Sequence, residues 1–175
     1  MEIYGVTGMP LAGKTTVAEV MKEEGFTMLD MGDVVRIEMD KRGLDSAGDF
    51  VSSLRDEHGM DAIARLSTPY LREVVDEKDR VVITGMRSRH EKELFERELE
   101  KDIEIIGVWA SRETRKRRKQ ERQREEDRET GLRDRDLREL KQGVGDLLAL
   151  SDHMIENDSG STNELEEEVK DIVRK

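Results

Sequence analysis

Cysteine is absent from all 175 residues. Disulfides, thiolate catalysis and cysteine-based zinc sites are thereby excluded. Histidine is scarce: His58, His90 and His153 lie far apart, without metal-ligand spacing, so a zinc enzyme is not expected. Proline occurs twice and aromatic residues make up 3%. That leaves no Pro-rich linker and few rings to stack on nucleic-acid bases. No apolar run approaches the ~20 residues of a membrane-spanning helix. The N-terminus enters a strand pattern directly, without the basic region of a signal peptide. The expected compartment is the cytoplasm. Hydrophobic residues are only 34% of the chain, below the roughly 45–50% of ordinary soluble domains.

Charge is what the chain has in excess. Asp, Glu, Lys and Arg are 42% of it, and the net charge is −11. Such a field repels nucleic acid and anionic membrane, and neither is an expected partner. One island opposes it. Residues 111–128 hold nine Lys or Arg against five Asp or Glu, so −15 rests on the remainder. The acidic balance fits either a protein of salt-loving cells or an ordinary acidic cytosolic protein. Salt separates the two. The Debye length shrinks from about 10 Å at 0.1 M to about 3 Å at 1 M, which relieves repulsion among surface carboxylates. In the halophilic case the unfolding midpoint rises steadily with KCl. A midpoint that is flat or falling up to molar KCl would defeat it.

Short apolar runs alternate with amphipathic stretches. Strands are expected at 2–7, 26–30, 80–84, 103–110 and 153–156. Helices are expected from Lys14 to Glu24, after Thr84 to about Lys101, from Ser111 to about Gln142, and from Ser161 or Thr162. Residues 32–77 read as helical with breaks at Gly43, Gly48 and Gly59. Ser161 and Glu164 have capping-box spacing. Alternating strands and helices imply βαβ units and a mainly parallel sheet in one domain. Trp109, on the most apolar strand, is expected in the core.

The strongest signal is Gly8-Met9-Pro10-Leu11-Ala12-Gly13-Lys14-Thr15, which matches G-x-x-x-x-G-K-[ST] between a strand and a helix. Gly8 and Gly13 permit turns closed to residues with a Cβ. The loop amides then cradle a phosphate at the positive end of the helix. Lys14 places a cation on the β- and γ-phosphates, the Thr15 hydroxyl ligates Mg²⁺, and Thr16 belongs to the same ATP site. ATP and Mg²⁺ are therefore the expected cofactors. No Asn-Lys-x-Asp segment for guanine is present.

Other segments carry a family resemblance. Gly32-Asp33-Val34-Val35-Arg36 resembles the acceptor signature of adenylate kinases and other nucleoside monophosphate kinases. Thr84-Gly85-Met86-Arg87 is similar to their Asp-Gly-x-Pro-Arg segment, shortened by one residue. Residues 152–161, from Asp152 to Ser161, are similar to an adenine-wrapping segment of dephospho-coenzyme A kinase. Together these resemble an archaeal family of P-loop nucleotide kinases related to dephospho-coenzyme A kinase and adenylate kinase. The resemblance implies a five-stranded parallel sheet, an acceptor-binding insert at 31–78, a mobile lid at 111–140 and an adenine loop at 152–161. It implies that Arg36 and Arg87 hold the acceptor, and that Asn157, Ser159 and Gly160 contact the nucleotide.

Within the basic island, Arg115, Arg118 and Arg122 are spaced to share a helix face. Arg124-Glu125-Glu126-Asp127 is similar to the Arg-x-Asp-Asp of adenylate kinase lids, and Arg135 and Arg138 follow. Phosphoryl transfer is stabilised mainly by positioned cations. Arg118 and Arg122 are thus candidate catalytic residues and Arg135 a substrate contact, unless the helix is merely solvated. Asp33 is the first candidate to orient an acceptor hydroxyl, with Asp30 second; alternatively Asp33 caps the next helix. Thr84 stands where many P-loop enzymes have a metal-binding aspartate. The leading function is an ATP-dependent phosphotransferase acting on a small nucleotide or coenzyme precursor. The alternative is a regulatory P-loop ATPase with slow hydrolysis and a macromolecular partner, which the missing aspartate favours.

Overall fold

The computed structural model describes residues 1–121, 131–158 and 161–174. Five strands form one sheet: β1 (Glu2–Gly8), β2 (Thr27–Asp30), β3 (Arg80–Thr84), β4 (Glu104–Trp109) and β5 (His153–Glu156). Their order is β2-β3-β1-β4-β5, and every neighbouring pair is parallel. The fold is an α/β P-loop fold with helices flanking an all-parallel sheet. Among the described residues no helix is long and apolar enough to cross a membrane.

The strand period explains why both faces are covered. Ile3, Ile83 and Ile105 point into one apolar cluster with Leu29, Met31, Phe95 and Leu147. Tyr4, Val6, Val82, Ile106 and Val108 point into the other, with Val17, Met21, Leu165 and Val169. Burial on both faces is why β3 and β4 read as continuous apolar runs. Helix α1 (Lys14–Glu23) and the C-terminal helix α9 (Thr162–Val173) cover the second face. Ser161 and Glu164 close the expected capping box at the start of α9.

Between β2 and β3 lie α2 (Met31–Arg42), α3 (Ala47–His58) and α4 (Ala62–Glu77). The chain breaks at Gly43 and Gly59, both with positive φ. It does not break at Gly48, contrary to expectation. Ser46 accepts the Asp49 amide and starts α3 before that glycine, which sits exposed in the first turn. Helix α5 (Arg89–Leu99) follows β3, and α6 (Arg112–Glu121) follows β4. Within the expected run from Ser111 to Gln142 the described residues also form α7 (Leu132–Gln142), and Gly143 at φ 100° leads into a short α8 (Val144–Ala149) that the sequence reading missed.

Trp109 is the second correction: it is 41% exposed. Strand alternation places it opposite Val108 in facing. Helix α8 covers that side at Gly107, where Leu148 and Ser151 pack, and Trp109 lies further along the strand.

Candidate nucleotide and acceptor site

The functional side chains gather where the parallel strands end. β1 runs into the phosphate loop at Gly8, whose φ is 150°. A Cβ there would stand 2.3 Å from the Val108 carbonyl, so β4 packs directly on the loop entrance. Gly13 has φ 110°, and a Cβ on it would stand 2.1 Å from Asn157 Nδ2. Leu11 adopts a positive φ of 67° without being glycine. Such backbone is strained and is held by its surroundings.

Those surroundings are specific. Asn157 Nδ2 donates to the Ala12 carbonyl at 2.8 Å. Arg118 donates to the Leu11 and Ala12 carbonyls, each at 3.1 Å, and to the Asn157 carbonyl at 2.8 Å. Arg115 donates to the Pro10 carbonyl at 3.3 Å. The loop's carbonyls are thus tied from outside. The first amides of α1 have no partner within the helix and are left for an anion. Arg115 is itself fixed by a buried ion pair with Asp136 of α7, at 2.6 Å.

Lys14 Nζ donates to the Gly8 and Met9 carbonyls at 2.8 and 3.0 Å. Burial pushes its pKa down to about 8; Glu139 opposes that shift, and Arg87, Arg135 and Arg115 add to it. The sign for binding follows. A polyphosphate favours the ammonium, so above pH about 8 binding must take up a proton, and affinity is lost as pH rises. We expect nucleotide affinity to weaken progressively between about pH 8 and about pH 10. Calorimetry in buffers of different ionisation enthalpy reads the proton directly. Affinity that is flat across that range, with no proton uptake, would contradict the assignment.

Thr84 ends β3 and pairs in register with Asp30 at the end of β2. Its hydroxyl donates to Asp30 Oδ2 at 2.6 Å. A carboxylate therefore does stand at the strand-three end, supplied by the neighbouring strand. Asp30 Oδ1 also accepts the Asp33 amide at 2.9 Å, which makes Asp30, not Asp33, the N-cap of α2. Asp33 sits one turn in and pairs with Arg36. Arg36 also approaches Asp30 at 3.8 Å.

Arg87 is positioned by its own hydrogen bonds and by those of its chain neighbours. Thr7 Oγ1 donates to the Met86 carbonyl at 3.2 Å. Glu91 Oε2 accepts the Arg87 and Ser88 amides at 2.6 and 3.1 Å. Arg87 Nε donates to Glu139 Oε2 of α7 at 2.9 Å. Ser88 and Glu91 form a capping box for α5. Its Ser-x-x-Glu signal was present in the sequence and went unread.

Of the expected site residues, Asp30 lies at the end of β2, Asp33 and Arg36 on the first turns of α2 and Arg87 just after β3, while Arg118 and Asn157 touch the loop itself and Arg135 is close enough to Lys14 to influence it electrostatically. Thr15 is exposed and Thr16 half-buried at the start of α1. Arg118 and Asn157 brace the loop from its carbonyl side. Arg122, the Arg124–Asp127 segment, Ser159 and Gly160 lie outside the described residues. For Mg²⁺ the chain offers the Thr15 hydroxyl and the Asp30 carboxylate. That hard-oxygen set suits an ion that takes most of its shell from phosphates and water.

Comparison with known proteins gives the same frame. A family model described as an AAA domain matches residues 7–133. A UPF0200 protein of Methanothermobacter thermautotrophicus is 40% identical over the whole chain and 90% of its own length. One of Thermococcus gammatolerans is 37% identical over 97% of this chain and 93% of its own. Among solved structures, shikimate kinase from Bacteroides thetaiotaomicron superposes with a TM-score of 0.64 at 15% identity, covering 99% of both chains. A sugar kinase from Janibacter gives 0.57 at 18% identity, covering 98% of this chain and 93% of its own. At such identities the structures establish the fold.

Proposed function

The chain belongs to the UPF0200 family, and we propose that it is an ATP-dependent phosphotransferase acting on a small anionic acceptor, a nucleotide or coenzyme precursor. The observation that carries this reading is the pairing of two sites at one sheet end. Lys14 and the α1 amides form a polyphosphate cradle. Asp30 at the end of β2, Asp33 and Arg36 on the first turns of α2, and Arg87 just after β3 follow the strands that flank it. A hydrolase needs the first site; a second site, with carboxylates to orient an acceptor and guanidiniums to hold its anionic group, is what a transferase adds.

In this reading an acceptor oxygen attacks the γ-phosphorus, the bond to the β,γ-bridging oxygen breaks, and ADP leaves. A hydroxyl acceptor gives its proton to Asp33 or to water. Thr15 and Asp30 are the residues that would hold Mg²⁺ with ATP, where the ion would supply neutralisation of charge on the phosphates. Lys14 and the arginines stabilise charge that spreads over the transferring oxygens. The described parts of the expected lid, 111–121 and 131–140, meet the loop through Arg115 and Arg118 and serve to cover it.

The alternative, a slow regulatory ATPase, drew on the absence of an aspartate at Thr84. The Asp30 carboxylate, 2.6 Å from the Thr84 hydroxyl, supports the kinase against it. The deciding experiment is an acceptor screen with Mg-ATP, following ADP. The panel holds nucleoside monophosphates, dephospho-coenzyme A, shikimate and simple sugars. ADP release stimulated by one acceptor supports the kinase. ATP binding without stimulation by any of them supports the regulator.

Arg36 provides a sharper test. Arg36→Lys keeps a cation but loses the fork that holds two phosphate oxygens. The acceptor KM is expected to rise about tenfold, with the ATP KM unchanged. A change confined to the ATP KM would displace Arg36 from the acceptor site.

A further inference from the structure

One guanidinium beside this site lacks the partners that burial demands. Arg55, on α3, has a side chain only 12% exposed. Its Nε is buried without a hydrogen-bond partner among the described residues. Its Nη2 lies 3.8 Å from Glu91 Oε1, too far for a hydrogen bond. Glu91 is no full counter-ion, because its other oxygen is committed to the Arg87 and Ser88 amides. A buried donor left unpaired costs folding free energy. Such a group is expected where a ligand completes it.

The surroundings indicate what that ligand carries. One carboxylate, Glu91, touches Arg87 through its backbone and faces Arg55 through its free oxygen. Arg87 and Glu139 both lie close enough to influence Arg55 electrostatically. Arg87 is reached from solvent, and its Nε is taken up by the Glu139 carboxylate. Lys14 feels the same Glu139 and Arg87. Arg55 and Arg87, from different elements, therefore share Glu91 as a neighbour and both feel Glu139. Glu139, from the lid region, supplies the anion that one of them now holds.

We propose that Arg55 and Arg87 form an anion subsite that takes a phosphate group of the acceptor, and that Glu139 is its internal stand-in. The assignment rests on the phosphotransferase reading and makes it more specific. Guanidinium edges present paired donors to tetrahedral oxyanions. Phosphate offers oxygens to both arginines at once, and its charge fits a site that one carboxylate only half compensates. The insert helix α3 thereby becomes part of acceptor recognition, through a residue that carries no motif.

The test uses the full chain saturated with Mg-ADP, which fills the phosphate loop, and inorganic phosphate as the probe. Binding is read by titration calorimetry. Phosphate is expected to bind at one saturable site. Arg55→Gln should weaken it at least about tenfold, and Arg55→Lys by less, with ADP affinity unchanged in both. Glu139→Gln removes the competing carboxylate and should tighten phosphate severalfold, a gain that misfolding does not mimic. Malonate runs in parallel as a carboxylate probe. Phosphate affinity indifferent to Arg55, or not improved by Glu139→Gln, would overturn the subsite. Malonate outcompeting phosphate would overturn the phosphate assignment. The two readings fail separately. Arg55-dependent phosphate binding without acceptor turnover sinks the kinase and leaves the subsite. Acceptor turnover with a KM indifferent to Arg55→Gln does the reverse.

Discussion

Lys14→Met is expected to yield a folded chain whose triphosphate turnover has fallen by about a hundredfold or more. The direction comes from what Lys14 does. Its ammonium is held on the Gly8 and Met9 carbonyls, poised at the mouth of the loop. On transfer it faces oxygens whose charge is shifting, and removing one such preorganised donor costs on the order of 10²–10³ in rate. Stability should not fall, because burial already disfavours the ammonium, as its lowered pKa records. Methionine keeps the stem and drops the desolvated charge. The measurements are ADP release under saturating ATP and the thermal midpoint. Normal turnover in the folded variant would remove Lys14 from the chemistry.

Asp136→Ala should be the most destabilising single change in the lid region. Arg115 and Asp136 are 6% and 9% exposed and joined at 2.6 Å. Breaking a buried pair from one side leaves an uncompensated charge and costs about 3–5 kcal/mol. For a chain of this size each kcal/mol moves the midpoint by roughly 2–4 °C. The expected fall is therefore roughly 6–20 °C. The double variant Arg115→Met with Asp136→Leu distinguishes charge from packing. It should regain much of the midpoint, since an apolar pair can replace a buried ion pair. Nucleotide affinity should stay weak in it, because the Pro10 carbonyl has lost its Arg115 donor. A midpoint unmoved by Asp136→Ala would mean the pair contributes nothing to the fold.

The site residues divide by how they could be read. The loop from Gly8 to Thr15 was legible because its chemistry is local. Backbone amides, a positive φ and a lysine must follow one another along the chain. Arg36 and Arg87 were legible through resemblance of short segments. Asp30 was ranked second and has the larger part in the structure. Its strand-mate Thr84 lies 54 residues away, and no spacing rule links them. Arg55, Asp136 and Glu139 carry no motif, and Glu91 carries only the Ser-x-x-Glu of a helix cap, which says nothing of Arg55. On their own helices each reads as one more charged residue in a chain that is 42% charged.

From the sequence alone came the fold class, the five strands, the phosphate loop and the capping box of α9. These depend on periods of two and 3.6 residues and on short fixed spacings, which covalent geometry imposes wherever they occur. Tertiary structure decided the remainder. It gave the strand order β2-β3-β1-β4-β5, the carboxylate beside Thr84, the exposure of Trp109 and the bracing of the loop by Arg115, Arg118 and Asn157. In a chain this rich in charge, composition does not say which ions pair. Only distance and burial select Arg115 with Asp136 and leave the Arg55 Nε without a hydrogen bond among the described residues, because the worth of a charge depends on the dielectric around it and on what lies within a few ångströms.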